Sequence, residues 1–402
     1  MKQTIIYKLK PNFEQEKHLH NLCSIATKLY NTDNYQRRKE WEEIGKIPSW
    51  YTQKKALKTN HWFRLLPSQT AQEVCHNLQG AYNSWFNLRK KDEKARPPGF
   101  RKKDMLSPIS FFQQFKIVDN KIKLSMSMKY RKEKDIKLIE MEFNKWKEAQ
   151  GTPKFCQIIF KKGKWFVHIV YEIEEPSVKL NDNVMAIDLG IINTATTVDT
   201  YGKTNIYSGK QILSIQHYFN KEKGKLQSIL TKQYPKRYWS RTLNILQKKQ
   251  DRQINQAMHN HSKSIIQDCK NKNIKTLIVG DITDIRKDKH WRKKQSQKLH
   301  SWSFSKFTKQ LEYKAIQEGI RFVNVNEKYT SQKCNVCGVI RRSNRKYRGL
   351  YVCKKCGNSV NADVNGAVNI LQKYLQDFMS RSIGNVALPS VTRLQNVVPC
   401  NV

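Results

Sequence analysis

Two Cys-x2-Cys motifs, Cys334-Asn335-Val336-Cys337 and Cys353-Lys354-Lys355-Cys356, constrain this chain more than any other feature. Four thiolates at this spacing can close a tetrahedron around one zinc ion, and a closed four-sulfur site leaves no coordination position for chemistry. Each pair is followed by a glycine, Gly338 or Gly357, which permits the tight turn that two sulfurs on one metal require. The alternative, a disulfide cluster, needs an oxidising compartment, and nothing marks the chain as secreted. The expectation is one structural zinc in a small ribbon.

Carboxylates flank this ribbon. Before it, Phe322-Val323-Asn324-Val325-Asn326-Glu327 reads as a buried strand with Glu327 at its C-terminal end, where α/β enzymes present functional side chains. After it, Asn361-Ala362-Asp363-Val364-Asn365-Gly366-Ala367-Val368-Asn369-Ile370 leads into a helix predicted to run to about residue 379. Asp363 falls in the first turn and shares a face with Gly366, Ala367 and Ile370, so its carboxylate is directed to the packing side. An acid in a first turn is also what the helix dipole favours by itself. The two carboxylates together with the ribbon raise the functional reading above that one.

The remaining composition points to a polyanion. Lys and Arg total 75 against 33 acids in 402 residues, a formal net charge of +42, interleaved with nine Trp, seventeen Tyr and sixteen Phe. Cations beside aromatic rings bind phosphate backbones and stack on bases, although a lysine-biased genome would raise the charge on its own. The length predicts about two or three domains. No apolar run reaches membrane-spanning length and the N-terminus has no signal-peptide core, so the expectation is an intracellular protein with no membrane partner. Cys23, Cys75, Cys156, Cys269 and Cys400 are scattered singly, as buried or free thiols are.

In chain order, residues 2–10 read as a strand whose partners must come later. A helical stretch over 12–89 follows, with one stripe at Leu19, Leu22, Cys23, Ala26, Leu29 and Tyr30 and another at Ala71, Val74, Leu78, Ala81 and Trp85. The basic segment 90–103, broken by Arg96-Pro97-Pro98-Gly99-Phe100, is a boundary, and either a phosphate-binding loop or a solvated linker. Strands resume over 110–174 with hairpin signals at 118–121 and 161–164, so the helices are an insertion in a barrel-like β module. Val184-Met185-Ala186-Ile187-Asp188-Leu189-Gly190 opens a three-stranded meander, followed by long basic helices over 210–273, a strand at 274–279, a helix at 303–318 and a strand at 321–326. A meander followed by α-β-α-β is the order of the RNase H-like fold, in which acids at neighbouring strand ends gather on one edge. His259 and His261 lie on a basic helix at a spacing that does not share a face, which suits packing or phosphate contact better than joint catalysis.

Ala186-Ile187-Asp188-Leu189-Gly190, the lead-in Tyr329-Thr330-Ser331-Gln332-Lys333-Cys334, and Asp363-Val364-Asn365-Gly366-Ala367 with Asn369-Ile370 resemble the split RuvC nuclease and zinc ribbon of TnpB. TnpB proteins are RNA-guided nucleases of insertion sequences, related to Fanzor proteins and type V CRISPR effectors. The likeness is specific over about 184–371 and looser upstream. One position departs: the family commonly carries Glu-Asp-Leu after the middle strand, and this chain has Gly280-Asp281-Ile282. Side chains alternate along a strand, so Asp281 is directed away from the face of Gly280. Glu327 ends the neighbouring strand about 4.8 Å away and is long enough to reach back. The resemblance implies a branch in which the catalytic glutamate has moved to this point. A surface glutamate at a strand end is the plainer reading.

The resemblance therefore implies a multidomain α+β chain. A wedge β module would occupy 1–11 and 96–178, a helical recognition lobe 12–95, an RNase H-like (RuvC) α/β nuclease domain 179–330 and 358–380, the inserted zinc ribbon 331–357, and a C-terminal tail 381–402. It implies a Mg-dependent endonuclease of a transposable element that cleaves double-stranded target DNA beside a short motif, directed by a noncoding guide RNA. Asp188, Glu327 and Asp363 would be catalytic and hold two Mg²⁺ or Mn²⁺ ions, while Cys334, Cys337, Cys353 and Cys356 hold Zn²⁺. Arg101, Lys102, Lys103, Ser331 and Gln332 are candidate nucleic-acid contacts. The implied location is the cytoplasm with the nucleoid, or the nucleus of a eukaryotic host. An unguided structure-selective RuvC-like nuclease and a cleavage-deficient RNA-guided DNA-binding repressor are the alternatives, the second kept open by Gly280.

Overall fold

Lys2–Lys10 (β1) buries every second residue, Ile5, Tyr7 and Leu9, and so requires a sheet that its own neighbourhood does not provide. The computed structural model describes the chain apart from residues 175, 178–182, 236, 283–301, 348 and 383–402 and the side chains of 378–382. Cys400 and almost all of the expected tail lie outside the described residues. The chain divides into two compact units, Met1–Glu174 and Glu175–Val402.

In the first unit four helices follow β1: α1 (Phe13–Ile44), α2 (Trp50–Leu57), α3 (His61–Leu65) and α4 (Ser68–Arg89). Asn12 opens α1 with a reciprocal capping box. Its side chain accepts from the Gln15 N–H at 2.9 Å, and the Gln15 side chain accepts from the Asn12 N–H at 2.7 Å. Gly45 ends the helix in the left-handed region, φ 68°. The stripe on α4 differs from the expected one in a single place: Ala81 is only half-buried, and Cys75 and Tyr82 take the core positions beside it. Tyr82 is fixed there because its hydroxyl donates to Asn34 Oδ1 at 2.7 Å.

The other strands are β2 (Ile109–Phe111), β3 (Phe115–Val118), β4 (Lys121–Ser125), β5 (Leu138–Asn144), β6 (Thr152–Lys161) and β7 (Lys164–Glu172), with α5 (Met128–Lys134) after β4. They form one antiparallel sheet in the order β2-β6-β7-β1-β5-β4-β3. β1 lies inside it, with Ile5 opposite Ile169 on β7 and Leu9 opposite Phe143 on β5. The β6–β7 turn places Lys162 and Gly163 at φ 56° and 71°, the pair of positive values that a two-residue hairpin turn demands. Helices and sheet share one apolar core, in which Leu19, Leu22, Leu78 and Trp85 meet Tyr7, Ile122 and Val167. The basic segment 90–103 runs within this unit rather than between compact bodies.

In the second unit β8 (Val184–Asp188), β9 (Asn193–Asp199) and β10 (Thr204–Ser208) make an antiparallel meander. Helices α6 (Lys210–Gln233) and α7 (Arg241–Asn271) follow, then β11 (Thr276–Asp281), α8 (Phe304–Gln317) and β12 (Arg321–Asn326). β11 starts two residues later than 274, and Ile274 is buried ahead of it. The sheet order is β10-β9-β8-β11-β12, with β8, β11 and β12 parallel. The central strands β8 and β11 are buried on both faces because both are covered, whereas β12, expected to be a buried strand, lies at the sheet edge and buries only Val325 fully. Met185, Ile187, Leu277 and Val279 face Ile265, Ile266 and Leu311 of α7 and α8, while Ala186, Ile278 and Val325 face Val364, Ala367 and Val368 of the last helix. Between β12 and that helix lies a three-stranded antiparallel ribbon, β13 (Arg345–Tyr347), β14 (Leu350–Val352) and β15 (Ser359–Asn361), and α9 (Ala362–Ser382) follows directly. No helix among the described residues is long and apolar enough to cross a membrane.

Candidate metal sites

Parallel strands end on a common edge. The pairing of Ile187 with Val279, and of Gly280 with Val325, brings the ends of β8, β11 and β12 level, so Asp188, Asp281 and Glu327 are presented at one edge of the sheet. The three residues are not equivalent there. A side chain built at Gly280 would begin inside the Glu327 carboxyl group, so Glu327 turns back across the strand end and fills the space beside Gly280. Its Oε1 is buried without a hydrogen-bond partner. Burial, and then the negative charge of Asp281, push the Glu327 carboxyl up to about 7. Asp281 itself is exposed.

Asp188 faces the same enclosure from β8. Burial raises its carboxyl well above the usual range, the charges of Glu327 and Asp363 raise it further, and Arg345 offsets part of this. Its carboxylate lies against Gly366 of α9, where a β-carbon would collide with it. Glycine is needed there for close approach, not for a turn. Asp363 stands one helical turn earlier. The Asn361 side chain caps this turn by accepting from the Asp363 N–H at 2.9 Å. Asn193 Nδ2 donates to Asp363 Oδ2 at 2.8 Å, and the Arg345 guanidinium lies 3.5 Å from Oδ1. One enclosure thus gathers repelling carboxylates and an orphaned buried oxygen, a donor set that suits a hard divalent cation.

The loop behind Glu327 is tied to α9. The Thr330 N–H and hydroxyl both donate to the Glu327 carbonyl, at 3.1 and 2.8 Å, with Tyr329 between them at φ 70°. Asn369 Nδ2 donates to the carbonyls of Thr330 and Lys333 at 2.8 and 2.7 Å, and Asn365 Nδ2 to Lys333 at 2.9 Å. Gln372 donates to Asn335 at 3.0 Å. Sequence reasoning missed this clamp. Its signal was the spacing Asn365, Asn369, Gln372, which puts three amides on one face of a helix.

The four cysteine sulfurs all lie within 4.8 Å of one another, and among the described residues no other group of such ligands is drawn together in this way. Asp188, Glu327 and Asp363 are neighbours without closing to that degree. Both Cys pairs are built alike: Gly338 N–H donates to Cys334 C=O at 3.0 Å and Gly357 N–H to Cys353 C=O at 2.9 Å, with φ 73° and 70° at the glycines. Burial resists ionisation of Cys353, but backbone N–H groups of Cys356 and Lys355 and neighbouring thiols bring it down to about 6. A cluster of this kind can hold a zinc ion. Cys23, Cys75, Cys156 and Cys269 are buried elsewhere and form no disulfide.

The candidate nucleic-acid contacts divide. Arg101 is turned inward, its guanidinium 3.6 Å from the Tyr30 ring centroid and Nη1 2.6 Å from Ser107 Oγ, while Lys102 and Lys103 are exposed. Ser331 and Gln332 are half-buried in the turn ahead of the cysteines, where the Gln332 carbonyl accepts from the Tyr351 hydroxyl at 3.1 Å. His259 and His261 are both pushed down by burial, as packed imidazoles are.

Sequence comparison gives a class first: residues 168–286 match a family model described as "Probable transposase" and 304–370 one described as "Cas12f1-like, TNB domain". The resemblance to the TnpB family is shown by these matches together with relatives over most of the chain. The Escherichia coli (strain K12) protein named "Putative RNA-guided DNA endonuclease InsQ" is 24% identical over 92% of this chain and 91% of its own length. The TnpB-like protein ORF457 of Acidianus two-tailed virus is 26% identical over 92% and 86%. The CRISPR-associated endodeoxyribonuclease Cas12f1 of Sulfoacidibacillus thermotolerans is 25% identical over 56% and 53%. Among solved structures, a Cas12f1 chain from a complex with sgRNA and target DNA shares the fold, with TM-score 0.64 at 14% identity over 92% of this chain and 98% of that one.

Proposed function

We propose that this chain is an RNA-guided DNA endonuclease of a transposable element, and that its second unit is an RNase H-like (RuvC) nuclease domain with an inserted zinc ribbon. In this reading the sheet of the first unit is the wedge, its helices are the recognition lobe, and the partners are a guide RNA and double-stranded DNA. The observation that carries the catalytic assignment is the Glu327 carboxyl seated in the space beside Gly280, facing Asp188. Asp188, Glu327 and Asp363 are the residues that would hold Mg²⁺ or Mn²⁺. Such ions, when bound, activate a water and balance charge on the attacking and leaving oxygens of a phosphodiester. The chain's own residues prepare the place. Gly280 and Gly366 clear room for the Glu327 and Asp188 carboxylates, Asn193 orients Asp363, and burial keeps bulk water from competing. The cysteine quartet would hold Zn²⁺ as a structural ion, since soft thiolates select it over Mg²⁺.

The test is cleavage of plasmid DNA by the copurified ribonucleoprotein. Glu327→Ala is expected to lower the rate by about a thousandfold or more, with RNA and target affinity within about threefold of the parent, because the carboxylate serves the transition state rather than docking. Asp281→Ala is expected to retain most activity. Full cleavage by Glu327→Ala sinks the assignment, and unchanged cleavage after complete removal of RNA sinks guiding.

A further inference from the structure

Where α6 gives way to α7 the chain exposes three aromatic rings within six residues: Tyr234 is 52% exposed, Tyr238 75% and Trp239 59%. A folded surface does not cluster large apolar rings in this way without a use for them. Arg237 and Arg241 are exposed beside them, and the Arg237 guanidinium lies 5.3 Å from the Tyr234 ring centroid. Arg237, Trp239, Ser240, Arg241 and Asn244 line an open depression of about 540 Å³. Residues 210–271 contain thirteen Lys or Arg against three acids, and none of the three competes for the tip. Glu222 pairs with Lys225 at 2.9 Å, Asp251 accepts from Gln247 at 2.8 Å, and Asp268 pairs with Lys272 at 3.2 Å.

We infer that the tip of the α6–α7 hairpin is a stacking site for unpaired bases of a nucleic-acid strand, with Tyr238 and Trp239 as the platform and Arg237 and Arg241 on the flanking phosphates. Flat rings need base faces, and in a duplex those faces are already stacked on one another, so the site selects single strand over double strand. Charge complementarity excludes an acid-poor protein surface as the occupant, and the guanidiniums give the phosphates of either RNA or DNA the same reception. The site lies on helices that carry none of Asp188, Glu327 and Asp363, and the inference stands whether or not the chain cleaves DNA.

The full-length protein, bearing Tyr238→Ala and Trp239→Ala together, should bind fluorescein-labelled 20-mers of oligo-dT or oligo-U about tenfold or more weakly than the parent, at an affinity for blunt 20-base-pair duplex changed less than about twofold. Trp239→Phe should restore most of the loss. Loss on oligo-U alone or on oligo-dT alone supports the site and names its strand as RNA or DNA. In the parent ribonucleoprotein, ultraviolet cross-links should map to the tryptic peptide that begins at Tyr238 and ends at Arg241. Because the rings are exposed, the thermal unfolding midpoint should stay within about 2 °C. Unchanged single-strand affinity, or equal loss on single strand and duplex, overturns the inference. Loss of cleavage in Glu327→Ala bears on the nuclease reading only.

Discussion

At the scale of single residues, Glu327 sits in surroundings that disfavour its charge. A carboxyl held at about 7 by burial and by Asp281 prefers its proton in the folded chain, whereas the unfolded chain ionises it near the ordinary 4.5. Its contribution to stability is therefore fully present below about pH 4.5 and lost as pH rises through about 7. Glu327→Gln cannot ionise, so in buffer free of Mg²⁺ and Mn²⁺ it should be more stable than the parent at pH 8, by on the order of 1–3 kcal/mol, with no advantage at pH 4.5. Urea unfolding at the two pH values checks this. Millimolar Mg²⁺ at pH 8 should narrow the gap, because an ion that binds the folded carboxylates stabilises only the parent. The Asp33–Arg37 pair of α1 follows another logic: both side chains are fully buried, Nε lies 2.8 Å from Oδ1, and Arg37 also donates to Gln79 at 2.7 Å. Burial raises the Asp33 carboxyl and Arg37 draws it back, so the pair holds α1 against α4 rather than serving chemistry.

At the scale of elements, α9 does two jobs on two faces. Its apolar face closes the sheet, and its amide face holds the turn that carries Glu327 and leads to Cys334. Asn369→Ala removes two hydrogen bonds from a buried amide and should cost about 2–3 kcal/mol in urea unfolding. It should also weaken Mn²⁺ binding by about tenfold or more, read by electron paramagnetic resonance, while zinc content stays at one ion per chain. Unchanged Mn²⁺ affinity would mean that the Glu327 backbone does not depend on the clamp. The apolar face was legible in the sequence, but the clamp was missed, because a mid-helix asparagine carries neither charge nor apolar signal and only the spacing of the three amides marks it. The cysteine cluster, by contrast, was legible from its spacing and the following glycines, while the third strand of the ribbon, Ser359–Asn361, lies beyond the expected bounds 331–357. The strand Arg321–Asn326 emerged with the expected bounds because Gly319, at φ 68°, ends the preceding helical turn and the chain turns again just after Asn326. β11 started late because its ladder with β8 and β12 begins at Thr276, although the Lys275 backbone already bonds Asn183 and Arg321 ahead of it. The α4 stripe was misassigned at Ala81 because periodicity weighs small residues as core. Packing instead chose Tyr82, whose hydroxyl has a buried acceptor.

At the scale of the whole molecule, charge is the dominant quantity and it is not confined to one unit. Residues 1–174 contain 35 Lys and Arg against 18 acids, and residues 175–402 contain 40 against 15. Each unit alone is therefore far more basic than solubility requires, and a polyanion that neutralises the chain must engage both. This separates recognition from mere composition. A lysine-biased genome raises charge without organising it, and the resulting weak contacts release few counterions. An RNA held along both units displaces many, and the logarithm of its binding constant falls linearly with the logarithm of salt, about 0.7–0.9 per phosphate contact. With on the order of six to ten contacts, guide-RNA affinity should fall by about three hundredfold or more between about 50 and 200 mM NaCl. Filter binding across that range measures the slope. A slope corresponding to fewer than about three contacts would leave the net charge of +42 without a polyanion to explain it.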